Sequence, residues 1–296
     1  MPMQEQENDI LRRVRKIEIK TRGLSNEIFA GKYHTAFRGR GMSFSEVREY
    51  RAGDDVRDID WNVTARSSKP HIKIYEEERE LTMMLLVDVS GSRMFGSAER
   101  TKKNIITEIA AVLAFSATQN NDKVGCIFFS DKVEKFIPPK KGKSHILMII
   151  RELIGFEPES QGTRISEAVR YLTNVSKKRC TAFILSDFMT ARRDSVALED
   201  ALKIAGSKHD MVGIRIYDKR EAELPDVGII ELQDAETGRK EWVDSASRRV
   251  REHYAQSWAE RDEAIRALLS RNRIDTATIS TEEDYVAELI KLFKQR

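Results

Sequence analysis

The chain has 296 residues, 40% hydrophobic and 33% charged, with a formal net charge of only +3. That balance fits a globular protein with a sizeable core, built as one large domain or two ordinary ones. It excludes a polyelectrolyte, so nucleic acid is not implied as a partner. The two cysteines, Cys126 and Cys180, lie far apart in apolar runs and read as buried free thiols in a reducing cytosol. No apolar run approaches the roughly 20 residues of a membrane span. Met1 to Asn8 is polar and acidic, without a signal-peptide core. The expected location is cytoplasmic, with any recruitment to a membrane made by partners.

In chain order, Ile10 to Ile19 predicts a helix with basic flanks (Arg12, Arg13, Arg15, Lys16). It reads as a solvated face rather than a phosphate or acidic-partner surface, and no interleaved aromatics point to RNA. Arg38-Gly39-Arg40-Gly41 reads as a flexible connector. Ser45 to Trp61 then alternates charges of both signs with Tyr50, Val56, Ile59 and Trp61. Asp54 or Asp55 could cap a short helical turn there. Arg48, Asp54, Asp55, Arg57, Asp60 and Arg66 are expected to form a salt-bridge and hydrogen-bond knot pinned by Trp61, which either braces the fold or meets a partner. A catalytic carboxylate cluster is the sharper alternative, and a nearby arginine for every acid weighs against it.

His71 to Tyr75 alternates as a strand. From Met83 onward strands and helices alternate: strand Met83 to Val87, helix from about Ala98 to Thr118, strand Val124 to Phe129 with a short antiparallel partner at Val133 to Ile137. Helices at Ile146 to Leu153 and Ile165 to Leu172 come next, then strand Ala182 to Leu185, helix Val196 to Ala205 and strand Met211 to Ile216. This order predicts an α/β fold with a doubly wound, mostly parallel sheet. Gly228 to Val243 reads as a hairpin insertion turning at Glu236-Thr237-Gly238. A long charged helix (Ala246 to Leu269), a strand (Thr276 to Ile279) and a helix (Asp284 to Phe293) close the chain. The expected organisation is an N-terminal extension over residues 1–78 and the α/β domain, hairpin included, over 79–296.

The most informative motif is Asp88-Val89-Ser90-Gly91-Ser92, directly after the apolar run that ends at Val87. In open α/β sheets ligands bind beyond the C-terminal ends of the strands. One carboxylate and two hydroxyls there form a hard oxygen set, suited to Mg²⁺, Mn²⁺ or Ca²⁺ and not to zinc. Gly162-Thr163 offers a further hydroxyl ahead of a helix, and Asp187 ends its strand as Asp88 ends its own. If those two strands are neighbours, both carboxylates point into one crevice. The plainer alternative is that Ser90 and Ser92 cap the following helix and that Asp187 only terminates a strand.

The set D-x-S-x-S, then G-T, then a strand-ending S-D resembles the metal-ion-dependent adhesion site of von Willebrand factor A domains. Asp122 to Gly125, Phe129 to Asp131 and Ile137 to Pro139 resemble that fold's second strand and hairpin. Arg48-Glu49-Tyr50, Gly53-Asp54-Asp55, Arg57, Asp60-Trp61 and Ala65-Arg66 resemble the hallmark of a bacterial branch, the domain of unknown function 58 family, whose members are associated with MoxR-type AAA+ ATPases. The resemblance covers most of residues 40 to 217. It implies a von Willebrand factor A-like, Rossmann-like domain. Ser90, Ser92 and Thr163 would present hydroxyls to a cation, Mg²⁺ first and Mn²⁺ or Ca²⁺ otherwise, while Asp88 and Asp187 bind it directly or through water. A partner protein would supply a Glu or Asp to the ion, the partner being a MoxR-type ATPase or a related von Willebrand factor A protein. Arg93 departs from the pattern, since Met often follows the second serine directly.

Enzyme readings are weaker. A metal-dependent hydrolase or phosphotransferase using Asp88 as nucleophile is the alternative, but a haloacid-dehalogenase-type phosphatase needs an acid where Ser90 stands. Gly142-Lys143-Ser144 has Ile137 in place of the first P-loop glycine. The five histidines show no zinc spacing, and no G-x-S-x-G elbow is present. The expectation is a non-enzymatic interaction module.

Overall fold

The computed structural model describes residues 12–21, 23–24, 42–51, 53–67, 69–77, 81–96, 100–189, 192–234 and 238–296. The Gly39 to Gly41 connector, Ala98 and the Glu236-Thr237 turn pair lie outside the described residues. The chain divides into two compact units, Arg38–Leu81 and the remainder.

Residues 12–21 form helix α1, part of the larger unit. Arg12, Arg13, Arg15 and Lys16 are exposed, as expected of a solvated face, and other residues of the helix are packed. Val14 is 8% exposed and Thr21 fully buried. Lys20 donates to Glu108 at 2.5 Å and lies over the Tyr285 ring, while Glu18 pairs with Lys143.

The small unit is an antiparallel pair, β1 (Met42–Glu49) and β2 (His71–Glu77), with a register shift between Phe44 and Glu46. Between the strands lie a 3-10 turn (Val56–Asp58) and a short helix, α2 (Trp61–Thr64). Both begin on an aspartate. Asp55 accepts from the Arg57 amide, and Asp60 accepts from the amides of Asn62 and Val63. A carboxylate at this position satisfies amides that the first helical turn leaves without partners.

The larger unit is built on a six-stranded sheet in the order β10-β7-β6-β3-β4-β5. Its strands are β3 (Thr82–Asp88), β4 (Lys123–Phe129), β5 (Val133–Lys140), β6 (Thr181–Ser186), β7 (Asp210–Tyr217) and β10 (Asp275–Ser280). All neighbours run parallel except β4 and β5. The doubly wound, mostly parallel α/β class read from the sequence is the observed one. β3, β4, β6 and β7 are buried almost along their length, which accounts for their unbroken apolar runs.

The helices are α3 (Lys102–Gln119), α4 (Lys143–Gly155), α5 (Ile165–Val175), α6 (Arg192–Lys208), a single turn α7 (Lys219–Ala222), α8 (Arg248–Arg271) and α9 (Tyr285–Gln295). Met84, Leu86, Ile127, Phe129, Ala182 and Ile184 on one sheet face pack with Val169, Leu202 and Leu269 of α5, α6 and α8. On the other face Phe183 meets Phe293 of α9 edge-on. The helix expected from about Ala98 begins at Lys102, because Thr101 is extended and caps the Asn104 amide. Strands β8 (Ile229–Gln233) and β9 (Lys240–Asp244) pair as the expected hairpin, leaving Ile229 and Trp242 about 70% exposed.

The winding fixes where a site can lie. From β3 the chain proceeds outward through β4 to β5, then crosses back to β6 on the other side of β3 and continues to β7 and β10. The loops leaving β3 and β6 therefore diverge from the C-terminal ends of two neighbouring strands, the position where open α/β sheets bind ligands.

Candidate functional site

Asp88 is the last residue of β3, and Asp187 directly follows β6. Since β3 and β6 pair, with Val87 opposite Leu185, the carboxylates lie side by side at the switch point. Both are buried, at 2% and 4% exposure. Asp88 accepts from the Ser90 amide at 2.9 Å and from the Ser186 hydroxyl at 2.5 Å. Asp187 accepts from the Met189 amide at 2.9 Å, and Phe188 between them adopts a φ of +57°. An aromatic residue in the left-handed region is uncommon. It is held there by its amide's bond to Ser186 Oγ and by its buried ring, which packs on Gly213 of β7.

The turn after β3 is 3-10 over Gly91–Met94, with Ser90 at its N-cap. Ser90 makes no side-chain capping bond; its hydroxyl faces that of Ser92 at 3.1 Å. Nor do the serines cap α3, where Thr101 has that role. The plainer reading of this motif therefore loses its capping half. Arg93 is buried and donates to the Phe156 carbonyl, so this departure from the family pattern straps the turn to the loop that carries Thr163.

That loop is sutured on both sides of Thr163. The Gly91 amide donates to the Gln161 carbonyl and the Arg164 amide to the Ser130 carbonyl, each at 2.9 Å. Glu134 ties the same loop to β5 through the Ser160 amide at 3.1 Å. Thr163 is 5% exposed, and its Oγ1 is buried with no hydrogen-bond partner among the described residues. A buried hydroxyl normally finds a partner, so an orphan at this position calls for an explanation.

The two carboxyls differ in proton affinity. Burial, reinforced by the neighbouring Asp187, pushes the Asp88 carboxyl up to about 6. Burial also acts on Asp187, but Lys102, the Met189 amide and Ser92 more than offset it and hold that carboxyl below its ordinary value. When one proton is present on the pair, it sits on Asp88.

Three residues that the sequence reading did not single out complete the surroundings. Lys102, the first residue of α3 and 1% exposed, donates to Asp187 at 2.7 Å and to Glu221 at 2.6 Å. Glu221 is fixed by the α7 capping box with Asp218. Arg215 of β7 donates from Nε to the Asp187 carbonyl at 3.1 Å, pairs with Asp262 and lies 5.0 Å from the Trp258 ring. A signal for Arg215 was available: it is the one charge inside the apolar run Met211 to Ile216. Among the described residues no three His, Cys, Asp or Glu side chains gather as a metal-holding group. Any cation here would depend on two carboxylates and hydroxyls.

The hallmark segment belongs to the small unit. Arg48 grips Asp54 with two bonds of 2.7 and 2.8 Å, and the Arg51 amide adds a third at 2.8 Å. Arg48 and that amide hold the Asp54 carboxyl below its ordinary value. Asp60 is paired with Lys73 at 3.6 Å, and the Tyr50 amide bonds the Pro70 carbonyl. The expected pin is corrected: Trp61 is 70% exposed. As the first residue of α2 it follows a cap made by Asp60, so the backbone rather than the indole ring organises this segment. Asp55, Arg57 and Arg66 are also exposed.

Fold and site together define a doubly wound α/β protein with a buried, two-carboxylate polar cluster at its switch point. Residues 46–264 match the family described as "Protein of unknown function DUF58", and the chain belongs to that family. The uncharacterized protein Mb1516 of Mycobacterium bovis is 27% identical over 287 residues, spanning 96% of this chain and 88% of its own length. The uncharacterized protein MAV169 of Mycobacterium avium is 25% identical over 164 residues, 54% of this chain and 93% of its own. Similar solved structures include the conserved hypothetical protein BatB from Bacteroides thetaiotaomicron, with 14% identity, 73% of this chain and 98% of that one covered, and a TM-score of 0.48. The VWA domain of SpRpn10 gives 12% identity, 73% and 95% coverage, and a TM-score of 0.38. Likenesses at that level bear no weight, and the fold class rests on the strand order itself.

Proposed function

We propose that this protein is a non-enzymatic interaction module that grips an acidic side chain of a partner protein through a divalent cation, Mg²⁺ first and Mn²⁺ or Ca²⁺ otherwise. Ser90, Ser92 and Thr163 hold the ion with their hydroxyls, and Asp88 and Asp187 hold it directly or through water. The observation that carries this reading is the Thr163 hydroxyl, buried and unpartnered in a loop sutured to the Ser90–Ser92 turn. Two further observations support it: the serines do no capping work, and two buried carboxylates sit side by side with only one of them, Asp187, in a salt bridge among the described residues, to Lys102. Two carboxylates balance a divalent charge, and neutral hydroxyls leave the ion electrophilic towards an outside carboxylate. Among the described residues no helix is long and apolar enough to cross a membrane.

The partner we propose is a MoxR-type AAA+ ATPase in protein remodelling or complex maturation, working in the cytoplasm; family membership is what supports this. The test is capture from native cells in Mg²⁺ or in EDTA, read by mass spectrometry, with wild type, Asp88→Ala and Asp187→Ala as baits. The expected result is an AAA+ ATPase held in Mg²⁺ and released by EDTA and by either substitution. Undiminished capture by both folded variants would reject the metal bridge. Metal-dependent turnover of a generic phosphate ester, abolished by Asp88→Asn, would replace it with the hydrolase reading.

A further inference from the structure

Lys102 is out of place by every local rule. It occupies the first turn of α3, where the helix dipole disfavours a cation. It is 1% exposed, and burying an ammonium is costly unless its partners are excellent. Its partners are excellent. Asp187 and Glu221 accept from Nζ at 2.7 and 2.6 Å, and both are fixed independently. Arg215 holds the Asp187 carbonyl, and the amide of Asp218 holds the second oxygen of Glu221 at 2.9 Å. The chain has built a rigid seat for one ammonium group on a carboxylate of the switch-point pair.

We infer that Lys102 is a tethered counter-ion of this site, sharing Asp187 with the bound cation and leaning on Glu221 when the cation is present. The inference rests on the metal reading above and adds a charge rule to it. Asp88, Asp187 and Glu221 carry three negative charges and Lys102 one positive; of the other cations nearby, Arg215 is offset by its partner Asp262 and Arg93 by Glu157. A divalent ion therefore brings the cluster to neutrality, and an outside carboxylate can still approach it. Without Lys102 the loaded cluster keeps one negative charge and repels that carboxylate. Lys102 thus weakens ion binding and keeps the loaded site receptive to an acid.

The competing role for Lys102 is a plain staple tying α3 to β6 and α7. The two roles predict opposite signs. Removing a staple loosens the site and weakens ion binding. Removing a like charge a few ångströms from the ion tightens binding, by at least about tenfold for a divalent ion. The experiment is calorimetric titration of the full chain with Mn²⁺, and then with Ca²⁺ and Tb³⁺, ions of closely similar radius and different charge. Wild type, Lys102→Met, Asp88→Ala and the double variant Lys102→Met/Glu221→Gln are compared. The double variant leaves fewer buried charges without partners and serves if Lys102→Met does not fold.

The expected result is Asp88-dependent Mn²⁺ binding in wild type, at least about tenfold tighter binding in Lys102→Met, and several-fold tighter binding in the double variant. The gain should be larger for Tb³⁺ than for Ca²⁺, because the repulsion removed scales with ion charge. Equal or weaker binding by the folded lysine variants, with wild type still binding, overturns the counter-ion role alone. The same holds for a gain equal for Ca²⁺ and Tb³⁺. Absence of Asp88-dependent binding in every variant overturns the metal reading, and the counter-ion role with it.

Discussion

Replacing Asp88 by asparagine should make the metal-free protein more stable, not less. The carboxyl is fully buried beside Asp187 and is lifted from an ordinary 3.8 to about 6. The folded state therefore holds this proton more tightly than the unfolded chain does. That contribution is complete below about pH 4, drains away as pH rises through about 6, and is gone above it. The difference costs the folded protein roughly 3 kcal/mol where Asp88 is ionised. Asparagine keeps the shape and an oxygen for the Ser90 amide, and Ser186 Oγ can accept from its nitrogen. Asp88→Asn in EDTA should then gain about 1–3 kcal/mol at pH 8, the lower figure allowing for imperfect hydrogen bonds. The two proteins should converge towards pH 4. Urea unfolding at pH 4, 6 and 8 measures this directly. Mg²⁺ at about a thousandfold excess over Kd should reverse the order, adding about 4 kcal/mol to wild type and nothing to the variant. An asparagine variant no more stable than wild type anywhere between pH 5 and 8 refutes the reasoning, because Asp88 would then carry no burial penalty.

Thr163→Val should be neutral or stabilising by up to about 2 kcal/mol in EDTA, since it removes a buried hydroxyl with no partner, while abolishing any Mg²⁺-induced rise in Tm. Arg215→Met should cost about 3 kcal/mol or more in urea unfolding, because it takes a buried partner from Asp262, a donor from the Asp187 carbonyl and a cation from the Trp258 ring. Gly125→Ala should cost roughly 1–3 kcal/mol, as the new methyl would sit 2.7 Å from Met84 Sδ and 3.0 Å from the Pro139 nitrogen. Thermal unfolding of that variant, with Mg²⁺ binding retained, would separate core packing from the site.

Much of the architecture was legible because burial writes itself into hydrophobic pattern. β3, β4, β6 and β7 are apolar without interruption because both faces are covered, and each was placed within a residue or two. The hairpin of β8 and β9 spans the expected insertion, Gly228 to Val243, and ends one residue beyond it. Asp88 and Asp187 stood out in the sequence because they lie at strand ends, and Ser90, Ser92 and Thr163 because they stand after a strand or before a helix. The hallmark segment was legible as charge and as a capped turn, which Asp55 begins. Its aspartates were expected to meet arginines, and Asp54 does, but Asp55 caps the Arg57 amide, and Asp60 takes two backbone amides on one oxygen and Lys73 on the other. Trp61, the obvious anchor by residue type, is exposed because it opens a helix too short to bury one face.

The sequence by itself determined the alternation of strands and helices, the identity of the two strand-ending aspartates and the hydroxyls near them. These are properties of short runs, governed by local periodicity and by residue chemistry. Only the tertiary structure decided that β3 and β6 are neighbours across the switch point, with Asp88 beside Asp187. It alone brought Lys102 from the start of α3 to Asp187, 85 residues away, and Glu221 from beyond β7 to the same ammonium, 119 residues away. The physical reason is that pairing order between parallel strands is set by how the whole chain winds. The charge balance of a buried site is in turn set by whichever distant residues that winding delivers to it.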